Sequence, residues 1–95
     1  MSIYVDEIAF YPHTKLRYKY WCHMATDSND IEELHKFAEM IGLQRSWYQP
    51  YSHPHYDLTP NKRQLAISKG AIAVDSIEFV RKCVIDRFKN RSNQQ

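Results

Sequence analysis

"TKLRYKYWCHMAT", residues 14–26, is the stretch that decides the fold. Its side chains alternate: Leu16, Tyr18, Tyr20, Cys22 and Met24 fall on one side, and Arg17, Lys19, Trp21 and His23 on the other. An extended backbone sends successive side chains to opposite faces, so the spacing predicts a strand with an apolar face toward a core and a mixed face away from it. His23 then stands opposite the core side.

Upstream, "SIYVDEIAF" (2–10) is rich in β-formers and predicts a strand over Ile3 to Ile8, ended by Tyr11-Pro12. Downstream, "TDSNDIEELHKFAEMIGLQ" (26–44) changes to helical spacing, with a stripe of Ile31, Leu34, His35, Ala38 and Ile41 and with Phe37 on its flank. Asp30 and Glu33 form a capping-box-like pair, and Gly42 stands where a helix ends in a positive φ. "RSWYQPY" (45–51) reads as a short third strand stopped by Pro50, followed by a Pro-rich loop as far as Leu58. In "TPNKRQLAISKG" (59–70), Thr59 is the N-cap, Pro60 the first helical residue and Gly70 the stop. "AIAVD" (71–75) reads as a buried strand, and "DSIEFVRKCVIDRFKN" (75–90) as a last helix capped by Asp75 or Ser76. The order ββαβαβα specifies one small α/β (or α+β) domain over residues 1–90, with a three- or four-stranded sheet, about three helices and a loose tail at 91–95.

Ninety-five residues support a single modest core. A chain 43% hydrophobic and 25% charged, with two glycines, is neither disordered nor fibrous. No window reaches the ~18 apolar residues of a membrane span, and no leader pattern opens the chain, so a cytoplasmic protein with no membrane partner is expected. Cys22 and Cys83 lie far apart, which in a reducing compartment predicts two buried thiols and no bridge. Net charge is +2, but residues 1–39 hold four basic and seven acidic side chains, and residues 40–95 nine and four. The second half, at +5, suits an anionic partner.

The chemistry gathers in "SHPHYDLTPNKRQ" (52–64). His53, His55 and Asp57 have the H-x-H-x-D spacing by which an extended segment aims two imidazoles and a carboxylate at one ion, zinc or manganese. His23, His35 and Asp6 are the further candidate ligands. The competing reading gives one histidine a backbone partner and leaves the other exposed. Thr59 with the N–H groups of Asn61 and Lys62, beside the charges of Lys62 and Arg63, forms a candidate anion pocket; the alternative is a cap, solvated cations and an Asp57–Arg63 pair. Asp6-Glu7 resembles the acids that nucleases place at strand ends, though adjacent residues on a strand face apart. Cys22 beside His23 fails as a nucleophile pair for the same reason.

"WCHMATD", "EELHKFAEMIGL" with "SWYQ", and above all "HYDLTPNKRQLAISKGAI" resemble the small bacterial and phage family known as domain of unknown function 4031. The likeness runs from Tyr4 to about Val74. It implies a stand-alone cytosolic protein of bacterial or phage origin with no assigned activity, and it falls on Cys22, His23, His35, His55, Asp57, Lys62 and Arg63.

The leading expectation is a protein that binds, and in an enzymatic version cleaves, a phosphate-bearing ligand such as a nucleotide or nucleic acid. His55 is the acid or base, Asp57 its orienter or a metal ligand, and Thr59, Lys62, Arg63 and His23 the ligand-binding groups. A second expectation is a metal-dependent hydrolase or nuclease built on the His/Asp cluster. A third is an interaction module that docks on a host protein through Trp21, Trp47 and the tyrosines. An open sheet edge allows a homodimer.

Overall fold

The computed structural model describes residues 2–50 and 53–87. Five short strands form one mixed sheet: β1 (Ile3–Val5), β2 (Ala9–Phe10), β3 (Tyr20–Thr26), β4 (Tyr56–Leu58) and β5 (Ile72–Ala73). β3 is the hub. β4 runs antiparallel along one side of it, and β1 and β2 share the other side, also antiparallel; β5 adds parallel to β1 at the far edge. Three helices complete the fold: α1 (Ile31–Met40), α2 (Pro60–Ser68) and α3 (Ser76–Val80), the last continuing as wider π-helical turns over Arg81–Asp86. The expected single α/β domain is what the chain forms. Residues 91–95, expected as a loose tail, lie outside the described residues.

Local chemistry explains both long helices. Asp30 accepts from the Glu32 N–H to start α1, and Thr59 accepts from the Lys62 N–H to start α2 behind Pro60. Gly42 (φ +85°) and Gly70 (φ +114°) end them in backbone conformations that a side chain resists. At Gly42 a Cβ would also come within 2.9 Å of the Lys62 ammonium.

Helices cover both faces. Val5, Cys22, Met24, Tyr56 and Leu58 meet Leu34 and Ala38 of α1, Ile41 just past its end and Ala66 of α2 in the main core. On the other face Tyr4 and Ala25 meet Phe79 and Cys83 in a smaller cluster. α1 buries the stripe expected of it. Both thiols are free and buried, as expected, and burial pushes each up to about 12, which keeps them protonated at neutral pH.

The sheet has five short strands where three or four were expected, and four expectations about its segments are corrected. The first strand is broken: Val5 stands opposite Met24 but Ala9 opposite Trp21, so Asp6, Glu7 and Ile8 face only Cys22 and His23 across a bulge. The second begins at Tyr20, because the chain from Tyr11 to Lys19 turns back in a loop closed by the Tyr11 N–H on the Lys19 carbonyl; Leu16, Tyr18 and Tyr20 are consequently exposed. Residues 45–47 form a 3-10 turn in place of a strand, and the third sheet segment is β4, within the stretch expected to be loop. Finally, β5 is an exposed edge rather than a buried strand.

Candidate functional site

The bulge builds the first half of the site. In a regular ladder a backbone carbonyl of β1 would receive the His23 N–H. Here the Asp6 carboxylate takes it at 2.6 Å, while the Asp6 carbonyl accepts from Arg63 Nε at 2.8 Å. The second Asp6 oxygen lies 2.7 Å from His23 Nδ1. One buried carboxylate thus fixes both the backbone and the ring of His23. A carboxylate only accepts, so Nδ1 carries the proton and the other ring nitrogen, Nε2, presents its lone pair outward.

β4 supplies the second half. Its register sets Asp57 directly across from His23, on the face away from the main core. Two residues earlier, His55 is held by a pair of backbone hydrogen bonds with Gln49, its N–H donating at 3.0 Å and its carbonyl accepting at 2.9 Å. His55 Nδ1 donates to the His53 carbonyl at 2.8 Å, so its Nε2 is also the free ring nitrogen. Gln49 donates its side-chain amide to one Asp57 oxygen. The other Asp57 oxygen lies 4.0 Å from His23 Nε2 and 3.6 Å from His55 Nε2.

These three atoms lie within 4.8 Å of one another. Bonds of about 2.0–2.2 Å in a tetrahedral shell hold ligand atoms roughly 3.4 Å apart, so the 3.6 and 4.0 Å separations from Asp57 are within tenths of an ångström of that spacing, and small side-chain rotations would close all three atoms on one ion. Each prospective ligand is already gripped from behind: His23 by Asp6, His55 by the His53 carbonyl, Asp57 by Gln49. Such outer partners set the tautomer and aim of metal-binding side chains. Phe79 forms a wall, its ring centroid 6.1 Å from that of His23 and 5.9 Å from that of His53.

The electrostatics divide the histidines. The hydrogen bond that His23 donates to Asp6 holds its ring above the usual imidazole range, against burial, and Asp57 adds to the rise. Burial lowers His53, helped by His55 and His23 beside it. His53 stacks on His55 with ring centroids 4.6 Å apart.

The sequence candidates therefore separate. His23, His55 and Asp57 converge, with His53 packed beside them and Asp6 behind as an anchor. His35 is not part of the group: it lies in the main core on the opposite face, 2.7 Å from the Tyr56 hydroxyl, and burial lowers its basicity. Thr59 caps α2. Lys62 donates to the Ile41 carbonyl at the end of α1 (2.7 Å), and Arg63 to Asp6 as described. Both cations thereby tie α2 to the sheet and to α1. Gln49 was missed, because nothing in the sequence marks which amide will face Asp57.

Next to Asp57 opens a cleft of about 600 Å³. Leu16, Tyr18, Trp21, Trp47 and Tyr48 form its apolar lining, and Gln49, Asp57, Thr59 and Lys62 its polar lining.

The family described as protein of unknown function (DUF4031) matches residues 3–86, and the chain belongs to it. No curated protein and no solved structure matches the chain. Among the described residues no helix is long and apolar enough to cross a membrane.

Proposed function

We propose that this member of the DUF4031 family is a metal-dependent hydrolase of a phosphate-bearing ligand, with His23, His55 and Asp57 as the protein ligands of one divalent cation, zinc or manganese. The observation that carries the reading is the convergence of two imidazole nitrogens and a carboxylate oxygen within 4.8 Å, each side chain already held by a partner behind it.

Three protein ligands leave a coordination place for water, the arrangement of catalytic rather than structural zinc. A bound ion there would lower the pKa of that water toward neutrality and polarise a phosphoryl oxygen. Asp6 keeps the His23 proton on Nδ1, which leaves Nε2 free to bind. Gln49 restrains one Asp57 oxygen and leaves the other to bind. Lys62 lines the cleft beside Asp57, and its ammonium retains donors beyond the one given to Ile41. A phosphate site resting on Lys62 and Arg63 alone is less well supported, since both have backbone carbonyls as partners. Docking on a host protein is also less well supported, because Trp21 and Trp47 both face a concave cleft of small-ligand size.

The test is hydrolysis of bis(p-nitrophenyl) phosphate by chelator-stripped protein after addition of zinc or manganese. Turnover that appears with metal and disappears in His55→Ala supports the reading. Stoichiometric metal with no turnover of phosphodiester or phosphomonoester would contradict it.

A further inference from the structure

The chain has two tryptophans, and both line the cleft that opens at Asp57. Trp21 is held in place by its indole N–H, which donates to the Tyr18 carbonyl at 2.8 Å. Tyr48 meets the ring of His35 edge-on at 4.5 Å, and so is also fixed from behind. Asp57 and Lys62 line it as well. The cleft is thus two-natured: flat apolar side chains line it together with a cation and with Asp57 of the candidate metal site. Its volume of about 600 Å³ lies in the range of small-ligand sites.

A purely apolar ligand would leave Asp57 and Lys62 unmatched, and a bare phosphate would leave the rings unused. A nucleotide matches both kinds of lining, with a base whose π-face suits any aromatic wall and a phosphate for the ion and the ammonium. The rim adds a third element. The loop that contributes Leu16 and Tyr18 carries Lys15 and Arg17 between and beside them, both exposed, with the Arg17 guanidinium 5.8 Å from the Tyr18 ring centroid. Cations interleaved with rings are what single-stranded nucleic acid binds, bases on the rings and backbone along the charges.

We infer that the cleft is a nucleotide subsite, stacking one base among Trp21, Trp47 and the neighbouring tyrosines and passing the adjoining phosphate to the His23–His55–Asp57 centre, with the Lys15–Arg17 rim extending it to a single strand. The cleavage step rests on the reading of the preceding section; the stacking does not.

Tryptophan emission reports the cleft directly. Metal-free protein in EDTA is titrated with a single-stranded oligothymidylate hexamer, with thymidine monophosphate, and with a hexamer of abasic sugar-phosphates carrying the same charge. The inference expects saturable quenching by the oligothymidylate at the lowest concentrations, by the mononucleotide at higher ones, and binding of the abasic strand at least about fivefold weaker, the smallest effect of one stacked base. Equal affinities for hexamer and mononucleotide would still support the subsite and identify free nucleotide as its occupant. Trp47→Ala, at a half-exposed position, should raise the dissociation constant at least about fivefold while Trp21 still reports and the melting temperature holds. No quenching by either nucleotide ligand, or equal binding of the abasic strand, overturns the inference. Because EDTA is present throughout, quenching without any metal affinity would sink only the hydrolase reading. Stoichiometric metal without quenching would sink only the nucleotide subsite.

Discussion

The two faces of the β3–β4 pair are built from the same two strands, yet they do different work. On one face Cys22, Met24, Tyr56 and Leu58 are almost completely buried against α1 and α2. On the other, one residue along, His23 and Asp57 face each other half-exposed, with His55 beside them, and their company is a carboxylate, a carbonyl and an amide. The period of two keeps packing and chemistry apart within a few ångströms. A side chain on the first face contributes through area removed from water, whereas one on the second contributes through where its lone pair points.

The largest way to break the comparison is to cut the first face. Leu58→Ala leaves a hole in the main core and should destabilise the fold by about 2–5 kcal/mol, read as a drop in the urea midpoint. A loss below about 1 kcal/mol would mean that this face is not the core. On the second face, Asp57→Asn or His55→Ala removes a ligand rather than packing. Metal affinity should fall at least a hundredfold by titration calorimetry, while the metal-free protein keeps a melting temperature near that of the parent.

Asp6→Asn probes the support behind a ligand. It should weaken metal binding by roughly 10–100-fold without abolishing it, since His23 stays but loses the partner that fixes its tautomer. The same substitution sharpens the pH behaviour. The His23 pKa is raised in the folded metal-free protein, so the Asp6–His23 pair contributes stability that is fully present below about pH 6.5 and is lost as pH rises through the folded value. Proton NMR should show the His23 ring titrating above the ordinary imidazole range in the parent and lower in Asp6→Asn. A titration unmoved by the substitution would contradict the assignment of the pair. The smallest effect is expected of Lys62→Ala, about 1 kcal/mol of stability from the lost bond to the Ile41 carbonyl. If the fold is untouched while hydrolysis disappears, Lys62 acts on the phosphate rather than as a tie between helices.

What the sequence made legible follows the range of the forces involved. α1 and α2 were readable because their signals are local: Asp30 and Thr59 accept N–H groups within three residues, and Gly42 and Gly70 adopt the positive φ their positions demand. The placing of His23 opposite Cys22 and Met24 was readable for the same reason. β4 was not, because three residues following a Pro/His-rich segment become a strand only by pairing with β3, more than thirty positions back. Where β3 starts was also hidden, since the alternation runs on through Leu16 and Tyr18 although the ladder stops at Tyr20. The bulge at Asp6 is a matter of register, which appears only when both strands are in view. In the site, H-x-H-x-D put His55 and Asp57 on one side of an extended segment, but the sequence could not exclude His35, whose helix packs on the far face, or identify Gln49.

The central claim is that His23, His55 and Asp57 hold one divalent ion. The most direct measurement is titration calorimetry of zinc into chelator-stripped protein, with elemental analysis of the dialysed product. The account predicts one ion per chain, reduced to none in the His55→Ala and Asp57→Asn proteins and unchanged in His35→Gln. Binding that is absent in the parent protein, or that survives loss of His55 or Asp57, would contradict it.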